Sequence, residues 1–348
     1  MQLLFLANHG VPVSQLQQLS VNKSSVRRVC VAPMLDWTDR HYRFFLRQIS
    51  RHAFLYTEMV TTGALIHGDR HRFLDYSDIE HPVALQLGGS DPADLATCAR
   101  LVEQWGYDEV NLNVGCPSER VQSGAFGACL MEEPQLVADC VKAMRDVVSI
   151  PVTVKHRIGI NEVEHYEYLR DFVGTVAAAG CEVFIVHARN AILKGLSPKE
   201  NREIPPLKYD YVHRLKRDFP GLEIILNGGL NDWDEIDAQL DQVDGVMIGR
   251  MAYHDPYQFA AVDARYYGDA GPVASRAEVA RALMPYIAER MQQGRSEPKH
   301  IVRHVLGLYQ GRPGARTWRR MLSDSKLLKG AGPELIEAVL AEVERAAI

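Results

Sequence analysis

Cys116 is the residue best placed to do chemistry. It stands in NVGCPSERVQSGAFGACLM (113–131), one step past a run that reads as a β-strand, and Pro117 fixes the turn beyond it. An ordinary thiol titrates near about 8.5, so at neutral pH it is mostly protonated and can give a proton to a reacting atom. A nucleophilic thiolate would need a neighbouring histidine or helix N-terminus, which linear spacing does not reveal. Cys129, after a glycine-rich loop, is the rival candidate. Cys98, Cys140 and Cys181 sit in or beside apolar helical spacing and read as small core residues, and Cys30 opens the first strand. The six cysteines show neither Cys-x-x-Cys nor Cys/His clustering. No metal site and no disulfide framework are therefore expected, and a cytoplasmic setting is.

A thiol at a strand end needs a scaffold. Eight short β-rich runs, at 29–33, 53–59, 82–87, 108–114, 150–157, 182–189, 223–229 and 244–250, alternate with longer helix-spaced stretches such as 91–106, 132–147 and 164–180. Asp91 followed by Pro92 starts one of these helices, and Gly180 closes another. Repeated β-then-α units predict parallel strands buried on both faces. Eight of them fit an α/β fold of the (β/α)8 TIM-barrel type better than an open sheet, and no GxGxxG follows the first strand. The site of such a barrel lies where its strands end. Those ends carry Pro33-Met34-Leu35, Gln86, Asn113 with Cys116, Lys155, His187, Asn227-Gly228-Gly229 and Gly249-Arg250. Polar groups at a rim must be bonded or hydrated, and so many at equivalent positions argue for a working site over idle polar residues. Gly228-Gly229 and Gly249-Arg250, on the last two strands, offer bare N–H groups and a guanidinium, the makings of a phosphate cradle. Lys155 suits either the negative charge of a reduced flavin or a Schiff base. His187 suits the flavin or its phosphate side, and Gln86 its uracil-like edge.

The chain has 348 residues and a net charge of −5. The charge is unevenly placed: residues 271–348 hold 13 Lys/Arg against 8 Asp/Glu, and the remainder 26 against 36. Between 299 and 329 there are eight basic residues, including Arg316, Arg319 and Arg320, and one acid. A basic cluster on an acidic protein suits a polyanion, although a solvated helix face would look the same. After 270 the strand pattern stops, and 275–293, 299–309, 315–329 and 333–347 read as helices. The organisation expected is a flexible N-terminal extension over 1–27, a catalytic barrel over 28–270 and a C-terminal helical-bundle domain over 271–348. No apolar run approaches the roughly 20 residues that span a bilayer. MQLLFLANHG lacks the basic start of a signal peptide, so no membrane partner is expected.

In chain order, APMLDWTDRHYR, TEMV, QLGGSDP, LNVGCPSERVQSGAFGACLM, VKHRIG, VHAR, LNGG and IGR resemble the tRNA-dihydrouridine synthases, the A subfamily in particular. The likeness runs from about residue 29 to 329. It implies an FMN-binding barrel, a helical domain that holds tRNA, and NADPH as electron donor. The implied reaction reduces the 5,6 double bond of D-loop uridines at tRNA positions 20 and 20a. Hydride passes from FMN N5 to C6, and Cys116 gives a proton to C5. By the same resemblance Pro33, Met34, Leu35 and Gln86 contact the flavin, and Lys155 and His187 line its pocket. Asn227, Gly228, Gly229, Gly249 and Arg250 hold the phosphate, while Asn113, Lys199 and Arg202 contact tRNA. Arg316, Arg319 and Arg320 of the basic helices are the candidate anchors for the rest of the tRNA. With no second dinucleotide fold, NADPH is expected to enter the same mouth before tRNA, giving ping-pong kinetics. A monomer is expected. The alternative is an FMN barrel acting on free pyrimidines, which leaves the basic helices unexplained.

Overall fold

The computed structural model describes residues 24–118, 121, 124–163 and 165–346. Eight parallel strands, β1 (Val29–Val31), β2 (Leu55–Thr61), β3 (Val83–Gly88), β4 (Glu109–Val114), β5 (Val152–Arg157), β6 (Val183–His187), β7 (Glu223–Asn227) and β8 (Gly245–Ile248), form one sheet. Its order, β1-β8-β7-β6-β5-β4-β3-β2, rolls the sheet into a cylinder. Closure between β1 and β2 rests on one Cys30–Phe54 bridge. It is made by two main-chain bonds, Val31 N–H to the Phe54 carbonyl and Phe54 N–H to the Val29 carbonyl, each 2.9 Å. All eight strands fall within a residue or two of the runs expected from sequence.

The helices have local causes. Asp91 Oδ1 accepts from Ala93 and Asp94 N–H at 2.9 Å, and Pro92 opens the helix Pro92–Gln104. Gly180, at φ +98°, ends the helix Tyr166–Ala178. A Cβ there would strike the Arg145 guanidinium.

Side chains alternate along each strand, so two cores form. The outer one lies between strands and helices. The inner one fills the lumen with Cys30, Ala32, Phe54, Tyr56, Ala84, Val183, Ile185, Ile225 and Met247. These come from β1, β2, β3 and β6 to β8; the rest of the lumen wall is polar, with Gln86 on β3, Glu109, Asn111 and Asn113 on β4, and Thr153 and Lys155 on β5. At the N-terminal end the lumen has a floor. Arg27 bonds Glu109 at 2.6 Å and Glu223 at 3.1 Å, and its guanidinium lies over the Phe54 ring. Removing one partner of a buried pair of this kind costs about 3–5 kcal/mol.

The flexible extension expected over 1–27 lies, up to residue 23, outside the described residues. From Ser25 onward the chain is anchored, since Ser25 and Arg27 are buried and bonded to Glu223.

Past residue 275 the chain is helical. Ser275 caps the helix Arg276–Gln292 in a reciprocal pair with Glu278. That helix packs with Leu335–Arg345, which packs in turn with Ala315–Leu322, and together they bury Leu283, Trp318, Ile336 and Leu340. The helix expected over 299–309 is only Pro298–Val302, followed by turns. Trp318 Nε1 donates to the Val305 carbonyl at 2.8 Å, and Gly307 lies so near the His254 carbonyl that a Cβ would come within 2.5 Å of it. The helix expected over 315–329 breaks at Asp324, whose carboxylate caps Ser325–Leu328. Among the described residues no helix is long and apolar enough to cross a membrane.

The two parts meet in an ionic seam. Asp39 accepts from Arg303 at 3.0 Å and His304 at 2.9 Å, and Asp75 takes Arg40, Arg290 and Arg295. A cavity of about 500 Å³ opens beside it, lined in part by Glu58, Arg72, Asp75, Arg290 and Arg295.

Candidate active site at the barrel mouth

The strand ends bring Gln86, Asn113, Cys116, Lys155, His187 and Asn227 round one opening. Asn113 Nδ2 donates to Gln86 Oε1 at 2.9 Å. Its Oδ1 accepts from the N–H groups of Gly115 (3.1 Å) and Cys116 (3.0 Å), which fixes the first turn after β4. Cys116 is half-buried, with Sγ 3.4 Å from Ser118 Oγ. Its carbonyl accepts from Ala128 N–H at 2.9 Å, so the GACLM segment packs directly on the reactive loop. Gly127 permits this approach: its φ is +79°, and a Cβ would sit 2.6 Å from the Cys116 carbonyl oxygen. Cys129 is occupied, donating to the Phe126 carbonyl at 3.1 Å, and burial pushes its thiol up.

Across the opening Lys155 Nζ donates to Asn227 Oδ1 at 3.1 Å, and Asn227 Nδ2 holds the Met247 carbonyl at 2.7 Å. Burial, reinforced by the neighbouring Arg157, pulls the Lys155 ammonium down to about 7. Burial and the charges of Arg157 and Lys155 push His187 well down as well, so its imidazole is neutral. Arg157, lowered to about 10 by burial, bonds the carbonyls of Gly115 (3.0 Å), Asn190 (3.0 Å) and Asn201 (2.9 Å). It thereby ties the Cys116 turn to the 193–206 loop. Arg189 and Arg202 are lowered too, by burial first; Arg250 repels both. Glu203, paired with Arg250 at 2.7 Å, is the acid in their midst. Cations this close, mutually repelling, fit an anion that would relieve them.

The glycine pair shapes a cradle. Gly228 and Gly229 have φ of +111° and +73°. A Cβ on Gly228 would lie 2.5 Å from His187 Cδ2, and one on Gly229 2.5 Å from Leu207. Bare amides beside lysine, neutral histidine and arginine are a donor set suited to a phosphate and the planar ring attached to it. The Arg250 guanidinium already bonds Glu203, so it is a shared member of this set. Gly249 has nothing nearer its Cβ position than 3.8 Å. Of the β1 segment, Leu35 is 68% exposed, Pro33 is partly buried, and the Met34 main chain is engaged with Thr38 in its own turn.

The residues assigned to tRNA are spread out. Asn113 is at the mouth. Lys199 and Arg202 lie on the 193–206 loop, which Asn201 pins through Ile192. Arg316, Arg319 and Arg320 are exposed on Ala315–Leu322, away from the mouth, on the helix that buries Trp318. Sequence reasoning counted Arg157, Arg189 and Asn111 among the strand-end residues but gave them no role of their own. Each shares the inward parity of a chosen neighbour (Lys155, His187, Asn113), and that period of two was the available signal.

The dihydrouridine synthase (Dus) family profile matches residues 30–344. The chain belongs to the dihydrouridine synthase family. It is 64% identical over 307 residues to the tRNA-dihydrouridine(20/20a) synthase of Pseudomonas putida, covering 88% of this chain and 91% of that protein. Proteins of the same name in Escherichia coli K12 (61% over 314 residues, 90% of each chain) and Synechocystis (58% over 317, covering 91% and 95%) are also similar. Among solved structures, 2-naphthoyl-CoA reductase superposes with a TM-score of 0.55 at 11% identity over 68% of this chain and 49% of that one. An old yellow enzyme homologue from Zymomonas mobilis gives 0.50 at 12%, over 71% and 90%. These last two bear on the fold alone. As a member of the dihydrouridine synthases the protein is an oxidoreductase.

Proposed function

We propose that this dihydrouridine synthase reduces uridine to 5,6-dihydrouridine in the D-loop of tRNA, at positions 20 and 20a, with FMN as cofactor and NADPH as reductant. The observation that carries the reading is the pairing, at one mouth, of a half-buried thiol with a cationic, glycine-floored cradle. FMN bound there would supply the hydride for C6 of the uracil, with NADPH as the electron source. Lys155, Asn227, Gly228, Gly229, Gly249 and Arg250 would hold the cofactor, with neutral His187 and Gln86 as hydrogen-bonding partners. Cys116 Sγ would give a proton to uracil C5, and Asn113 fixes the turn from which that thiol projects. A uridine must leave its stack to enter a barrel mouth, so the enzyme receives a splayed-out base. Lys199 and Arg202 would meet the nucleotides beside it. The helical region from 271 onward would hold the remaining tRNA through phosphates, which makes affinity salt-dependent.

The test is Cys116→Ala. It should keep yellow flavin and tRNA binding while tRNA turnover drops by a factor of about 10² or more. Turnover near that of the parent protein would remove the proton-donor role. Reduction of free uridine as fast as tRNA would shift the reading to a free-pyrimidine enzyme.

A further inference from the structure

One line of side-chain hydrogen bonds runs up the lumen from floor to reactive loop. Glu109 Oε1 accepts from Thr153 Oγ1 at 2.5 Å. Thr153 Oγ1 accepts from Asn111 Nδ2 at 2.8 Å, and Asn111 Oδ1 accepts from Gln86 Nε2 at 2.8 Å. Gln86 Oε1 accepts from Asn113 Nδ2 at 2.9 Å, and Asn113 Oδ1 takes the Gly115 and Cys116 amides. The sheet register builds this line: Asn111 lies level with Thr153 on one side and Gln86 on the other. All members from Glu109 to Asn113 are buried, with exposures from 0% to 8%.

The oxygen and nitrogen of a carboxamide are nearly isosteric, so packing alone does not choose between an amide and its flipped form. The ends of the line choose. At the floor a carboxylate bound to the Arg27 guanidinium can only accept, so the Thr153 hydroxyl must donate downward. Thr153 then accepts from Asn111 Nδ2, which leaves Asn111 Oδ1 for Gln86 and Gln86 Oε1 for Asn113. At the top two main-chain N–H groups can only donate, so they require Asn113 Oδ1. Both ends demand the same polarity, and reversing any one amide would oppose like groups on both its sides in a buried place.

We propose that Glu109, at the closed floor of the barrel, is a positioning residue for the reaction: through Thr153 and Asn111, and in concert with the main-chain amides at the top, it holds which atom of the Gln86 and Asn113 amides faces the flavin edge and the Cys116 turn. The consequence for catalysis rests on the proposed reading of the mouth. Tyr56 supplies an internal control, since its hydroxyl donates to the same Glu109 oxygen at 2.8 Å but lies off the line.

Four flavin-loaded proteins decide the matter: the parent, Thr153→Val, Thr153→Ser and Tyr56→Phe. Each is compared for thermal unfolding, flavin midpoint potential, and the rate at which iodoacetamide alkylates Cys116, read on its peptide by mass spectrometry. Thr153→Val is expected to shift the potential, to change the alkylation rate about threefold or more, and to lower tRNA turnover about tenfold. Thr153→Ser restores all three, and Tyr56→Phe leaves all three in place even where it lowers the melting temperature as much as Thr153→Val. Thr153→Val behaving as the parent, or Tyr56→Phe shifting the potential and the alkylation rate equally, would overturn the proposal. A parent protein that retains no flavin would sink the reading of the mouth instead, and alkylation alone would then decide the line.

Discussion

Lys155 carries its charge conditionally. Burial and Arg157 bring it down to about 7, so near neutral pH the free site holds it as a mixture of ammonium and amine. An anionic ligand raises that value again, so binding takes up a proton. The sign follows: between the free-site value and the higher bound value, flavin affinity should fall as pH rises. Quenching titrations of apoprotein with FMN from pH 6 to 9 should show this for the parent and lose it in Lys155→Met. A slope that survives the substitution would assign the proton elsewhere. The preference for Cys116 over Cys129 came from its place directly off a strand. The thiol count alone could not make it, and the structure supplies a reason by engaging Cys129 Sγ with the Phe126 carbonyl. Arg157 was not legible as a tie between two loops, because both carbonyls it joins to the mouth come from distant segments, Gly115 and Asn201.

Strands were read from sequence more surely than helices, and the reason is physical. A barrel strand buried on both faces is a short β-rich run between turns, and each of β1 to β8 has that form, although β4 (EVNLNV) and β5 (VTVKHR) alternate apolar residues with polar ones. In the helical region the spacing over 299–309 looks equally regular. There a tertiary bond from Trp318 to the Val305 carbonyl and the close approach of Gly307 to His254 decide against a continued helix, and neither is local. The turn after β7 offers a test at this scale. Gly228→Ala must place a Cβ at a φ of +111° and against His187. Strain of about 1–3 kcal/mol is expected. Flavin affinity should fall about tenfold or more, and a fluorescence titration that finds it unchanged would argue against the cradle.

Barrel and helices hold together through a shared apolar core, with Phe44 stacked on Tyr286, and through charge. Although burial would raise Asp39, the hydrogen bond and charge of His304 hold its carboxyl well below the usual range. Its contribution to stability is therefore complete above the ordinary aspartate value of about 3.9 and is lost as pH falls below it. Asp39 also caps the helix Arg40–Arg47. Asp39→Asn keeps a capping side chain but loses the charge, and should cost about 1–3 kcal/mol in thermal unfolding. Asp39→Ala should cost about 1 more. On the outer surface, replacing Arg316, Arg319 and Arg320 together with alanine should weaken tRNA binding and flatten its dependence on salt. NADPH oxidation should be untouched; unchanged tRNA binding would remove the anchoring role. The basic bias of this region was plain in the sequence, but its arrangement on a helix buried through Trp318 was not.

The cylinder itself is unevenly stitched. Seven junctions between neighbouring staves are ladders, whereas the eighth hangs on two amides, those of Val31 and Phe54. Native-state hydrogen exchange should find these two protons released by a partial opening well short of global unfolding, so that the vessel breathes along a single predetermined crack.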